Sequence, residues 1–68
     1  MQVTFIIHKE TDFYTAKCVE EDIFTQGSTL DELMKNIKEA VELHFEDYLI
    51  NNSIQILSLS QTEVEKVA

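Results

Sequence analysis

The chain has 68 residues, with thirteen acids against five lysines and a net charge of −8. So acidic a surface repels phosphate and excludes the usual mode of nucleic-acid binding, in which basic groups neutralise the backbone. It favours a basic partner protein, or simply keeps a small domain soluble, and a single domain of this size has a thin margin of stability that association would improve.

The first run, Met1 to Ile7, has no basic region before it and no small-residue cleavage site after it, so it reads as a strand rather than a signal peptide. Val3, Phe5 and Ile7 alternate with Gln2, Thr4 and His8. Ile6 breaks the alternation, as in a central strand covered on both sides or one used in an interface. Across a polar turn, Lys9 to Asp12, a second strand spans Phe13 to Val19, so the pair predicts an antiparallel hairpin. Tyr14, Ala16 and Cys18 share one face of it; Phe13, Thr15, Lys17 and Val19 share the other. Cys18 is the single cysteine, which forbids an internal disulfide and fits a reducing, cytoplasmic setting.

Glu20-Glu21-Asp22 is an acidic turn, and Ile23 to Gln26 predicts a short third strand ending at Gly27, the sole glycine. A glycine at such a reversal is expected to supply a backbone angle that other residues resist. Thr29-Leu30-Asp31-Glu32 matches a capping box, and the two acids suit the positive end of the helix dipole. Leu30, Leu33, Met34, Ile37, Ala40, Val41, His44, Phe45 and Tyr48 then recur at helical spacing as one apolar stripe, opposite Lys35, Lys38, Glu39, Glu42 and Glu46. Asn51 and Asn52 are expected to end the helix through a left-handed cap.

Ile54 to Leu59 predicts the fourth strand, with a slip in alternation at Ile56-Leu57 that suggests a bulge or burial on both faces. Residues 61–68 form a polar tail, either a frayed helix or a disordered end. The expected domain is therefore 1–60, an α+β fold of order β-β-β-α-β with one helix packed on a small mixed sheet. The longest apolar run is too short to span a bilayer. The reverse sheet face holds Ile6, Phe13 and Val19 without a helix to cover it, which marks these three as an oligomer interface for a homodimer or higher homo-oligomer.

The hairpin with Tyr14-x-Ala16, followed by Thr25-Gln26-Gly27-Ser28-Thr29-Leu30-Asp31-Glu32 and Asn36-Ile37-Lys38-Glu39-Ala40, resembles the HicB antitoxin family. The resemblance spans Val3 to about Leu59 and implies a partial RNase H-like fold. It also implies a cytosolic antitoxin that covers the active site of a small basic mRNA-cleaving toxin of the HicA type; the alternative is a solitary homo-oligomeric structural or binding protein of HicB-like fold without a toxin. Typical members continue into a DNA-binding domain; this chain has only a short tail after its fourth strand, so DNA-binding autoregulation is not expected, and the acidic balance argues against direct nucleic-acid binding. Asp12, Glu20, Glu21 and Asp22, at turns beside a sheet edge, are the candidate partner contacts.

Catalysis is not expected. Metal-dependent RNase H chemistry needs carboxylates gathered on rigid elements, one of them on the first strand, and that strand has none. His8, His44 and Cys18 lack metal-ligand spacing, and one glycine cannot make a glycine-rich phosphate loop. No cofactor is expected.

Overall fold

A computed structural model describes residues 1–61 and 64. Strands β1 (Gln2–Lys9), β2 (Tyr14–Cys18) and β3 (Phe24–Gly27) precede helix α1 (Leu30–His44), a 3-10 turn (Tyr48–Ile50) and β4 (Gln55–Ser60). This is the expected α+β order, one helix on a four-stranded mixed sheet. In space the strands lie β3-β2-β1-β4, with β1 parallel to β4 and the other pairs antiparallel. Consequently β3 and β4 run the same way at opposite edges. Parallel strands cannot be joined by a tight turn, and α1 makes the crossover.

The core is where two periodicities meet. Every second residue of β1 and β2 (Val3, Phe5, Ile7, Ala16 and Cys18) faces Leu33, Ile37 and Val41 of α1, with Ile23 closing one end. Phe5, Leu33, Ile37 and Val3 are the largest fully buried side chains, each contributing about 1.5–3 kcal/mol by leaving water. The buried part of the helix stripe is narrower than expected, since Leu30 and His44 are exposed.

Gly27 is required for a different reason from the one its position suggests. Its φ is not positive. A Cβ there would instead lie 2.6 Å from the Leu33 backbone nitrogen and 2.8 Å from the Leu33 Cα. The glycine lets β3 approach the first turns of α1. At the helix start, the Thr29 hydroxyl accepts from the Glu32 N–H at 3.1 Å. The Glu32 carboxylate accepts from the Ser28 N–H at 3.4 Å, one residue before the partner that a standard capping box uses.

The helix ends at His44, well before the asparagines. The chain continues as a turn in which the Leu49 N–H donates to the Phe45 carbonyl at 3.0 Å. Asn52 Nδ2 then donates to the Tyr48 carbonyl at 3.0 Å. A side-chain amide thus satisfies a carbonyl near the end of this turn, and no left-handed residue is used.

β4 contains no bulge: its register with β1 runs unbroken from Gln2↔Gln55 to Ile7↔Ser60. The slip at Ile56-Leu57 records two apolar faces. Ile56, beside Val3, packs toward the helix core, whereas Leu57 and Leu59 lie beside Thr4 and Ile6 on the reverse face. Gln61 extends the ladder by donating to the Ile7 carbonyl at 3.2 Å. Beyond it and Val64, the expectation for the 61–68 tail lies outside the described residues. No helix among the described residues is long and apolar enough to cross a membrane.

Candidate protein-interaction surface

The four carboxylates singled out in the sequence do not form one cluster. Asp12 lies in the β1–β2 turn, and Glu20, Glu21 and Asp22 lie at the other end of β2. An extended strand of that length separates the two turns by about 20 Å.

Glu20 is committed to the fold. Its Oε1 accepts from the Thr4 backbone N–H at 2.7 Å and from the Cys18 thiol at 3.6 Å. The Val19 N–H donates to the Thr4 carbonyl at 2.8 Å, the last backbone rung between β1 and β2. Where the chain then turns away, the Glu20 side chain takes the place of a backbone carbonyl. The Thr4 N–H holds this carboxyl below the usual glutamate range.

Glu21 is tied to the helix end. Its Oε1 lies 3.0 Å from His44 Nε2, and the His44 ring meets Phe45 edge-on at 4.8 Å between centroids. Asp22 is exposed beside this pair and, with Ile23, Ala40, Leu43 and His44, lines a shallow depression.

That depression continues onto the outer face of α1. There Leu43, 76% exposed, is surrounded by Glu39, Glu42 and Glu46, and with Leu49 they line an open hollow of about 470 Å³. The spacing of 39, 42, 43 and 46 places all four on one side of the helix. The result is an apolar spot ringed by carboxylates and joined to the acidic turn. The sequence contains the signal, a leucine outside the buried stripe among three glutamates, on the face opposite the apolar periodicity.

Of the three residues on the reverse face, Ile6 stands opposite Lys17 and Val19 opposite Thr4, so the two are diagonal neighbours two residues apart along the ladder. Phe13 sits at the far end of β2, beyond the His8–Thr15 pair. Leu57, Leu59 and Phe24 belong to that face by register and were not assigned to it from the sequence. Cys18 is buried on the Tyr14–Ala16 side, and His8 is exposed on β1. Among the described residues no three His, Cys, Asp or Glu side chains converge as metal ligands.

Fold and surface together define a small acidic α+β domain, one helix crossing a four-stranded sheet. The chain belongs to the UPF0150 family. A UPF0150 protein of Archaeoglobus fulgidus is 44% identical to it over 45 residues, covering 66% of this chain and 68% of the relative. A UPF0150 protein of Thermotoga maritima is 40% identical over 47 residues, covering 68% and 67%. No family model matches the chain, and no solved structure matches it significantly.

Proposed function

We propose that this UPF0150 chain is a HicB-like antitoxin of the cytoplasm, which binds a small basic mRNA-cleaving toxin of the HicA type and occludes its active site. The observation that carries the reading is the exposed Leu43 within Glu39, Glu42 and Glu46, continuous with Asp22 and the Glu21–His44 pair. An apolar anchor with a charged rim is the usual anatomy of a protein interface. Carboxylates there can occupy ground that a ribonuclease uses for RNA phosphates, and a net charge of −8 steers a basic protein toward them. The β-β-β-α-β order supports a HicB-like fold, as does the Thr25–Glu32 joint in which Gly27 packs against α1.

In this reading Leu43 is the anchor, Glu39, Glu42, Glu46 and Asp22 supply charge, and Glu20 shapes the turn that presents Asp22. The test is co-expression with the adjacent open reading frame. Rescue of growth and co-purification are expected; persistent toxicity with no complex would refute the assignment.

A further inference from the structure

We infer that the outer edge of β4 pairs with the β4 edge of a second copy of this chain, joining two four-stranded sheets into one of eight strands. The two edges of the sheet differ. At β3 the Asn36 side chain donates to the Gln26 carbonyl at 2.8 Å, so a helix residue occupies part of that edge. At β4, among the described residues, no strand pairs beyond it.

The β4 backbone is poised for such pairing. Its ladder with β1 runs from the Gln55 N–H on the Met1 carbonyl to the Gln61 N–H on the Ile7 carbonyl. In a parallel pair alternate residues bond to the same neighbour, so Ile56, Ser58 and Ser60 turn their amides and carbonyls to the open side. Natural edge strands are usually guarded by lysine, proline, a bulge or a covering element. Gln55–Ser60 carries no charge, no proline and no bulge.

Charge selects the occupant. Two copies at −8 each repel one another over most of their surface. Residues 48–62 contain no Asp, Glu, Lys or His, an uncharged stretch in a chain that is 26% charged overall. The β4 edge is therefore where two acidic copies meet at least electrostatic cost. A basic partner gains nothing from it, having carboxylates elsewhere to bind.

A two-fold axis requires the two β4 strands to run antiparallel. Centred on Ser58, the register pairs Ile56 with the second copy's Ser60 through backbone hydrogen bonds. It also sets Leu57 opposite the second copy's Leu59 at a non-hydrogen-bonded position, where side chains come closest. Leu57 and Leu59 are 42% and 45% exposed and flank Ile6. Pairing would merge two such strips into one apolar band.

Sedimentation equilibrium of the full chain, from low micromolar concentration upward, should give twice the 7.9 kDa of one chain. The Ile56, Ser58 and Ser60 amides should resist hydrogen exchange in the associated form. Ser58→Pro, which removes an outward N–H that an edge strand can lose, and Leu59→Lys should each give a single-chain mass with unchanged circular dichroism. Phe24→Lys, on the same face but at the β3 edge, should leave the doubled mass intact. If Ser58→Pro fails to fold, Leu59→Lys decides. A single-chain mass for the natural chain at every concentration would overturn the inference and leave the edge to a strand from another protein. A doubled mass that survives the folded edge variants, or that Phe24→Lys abolishes, would overturn it in favour of an interface elsewhere.

Discussion

The Glu20 carboxylate accepts from the Thr4 backbone N–H at 2.7 Å and so substitutes for a backbone carbonyl where β2 leaves β1. A residue sixteen positions away in sequence completes the ladder at the start of the first strand. This makes one member of the acidic turn a structural residue, beside Glu21, which meets His44, and the exposed Asp22.

The pH consequence follows from the direction of its shift. A carboxyl held below its ordinary value of 4.5 in the folded chain contributes stability that is fully present above that value. The contribution is lost as pH falls through the depressed folded value. Urea midpoints of the natural chain and Glu20→Gln should therefore differ at neutral pH, with the variant less stable. The gap should close as the solution is acidified below 4.5. A gap independent of pH would contradict the charge-assisted bond.

Gly27→Ala should destabilise by steric overlap. The new methyl would stand 2.6 Å from the Leu33 nitrogen, backbone that cannot swing aside. A cost of about 1–3 kcal/mol is expected, typical of overpacking, read from thermal or urea unfolding. Because φ at Gly27 is not positive, relief should come from moving α1 away from β3, visible as shifted amide resonances around Leu33.

Ile37→Ala opens a cavity at a fully buried site on the helix. Such truncations cost about 2–5 kcal/mol. A domain of this size has a total of roughly 3–10 kcal/mol. The variant should be substantially unfolded at moderate temperature, as circular dichroism would report.

Glu21→Gln should be nearly silent in stability. Both partners of the Glu21–His44 pair are about 40% exposed, and exposed pairs contribute about 0–1 kcal/mol. A loss well above that range in chemical denaturation would mean that the pair organises the turn.

Charge reversal separates the acidic surfaces. Glu39→Lys, Glu42→Lys and Glu46→Lys together should weaken binding to the proposed basic toxin and flatten its salt dependence while the fold is retained. Asp12→Lys, about 20 Å along the sheet from the Glu20–Asp22 turn, should have a smaller effect. Calorimetric titration at low and high salt would distinguish them. Reversal within the turn is best confined to Glu21 and Asp22, since replacing Glu20 also breaks its bond to Thr4.

Much of this arrangement is readable from local pattern. The alternation of Val3, Phe5 and Ile7, the Thr29–Glu32 cap and the Leu33–Ile37–Val41 spacing each lie within a few residues, and each appears in the structure as an element or a core face. The double apolar character of β4 was legible as a broken alternation, yet not as two regular faces. That distinction depends on β1 lying beside it. Charge and turn position mark Asp12, Glu20, Glu21 and Asp22 as candidate contacts, but those properties do not reveal which carboxylate is already engaged.

By itself the sequence determined the element order, the start of the helix, the apolar face of each element and the strongly acidic surface, because periodicity, capping and charge act over short range or by composition. Only the tertiary structure decided the β3-β2-β1-β4 order, the close approach that Gly27 permits, the bond from Thr4 to Glu20 and the exposure of Leu43 among glutamates. The strand order and the Thr4–Glu20 bond join segments far apart in the chain, and the other two depend on how the helix is seated against the sheet. Strand pairing and packing between such segments are selected by the burial of the whole core, and no short stretch carries that information alone.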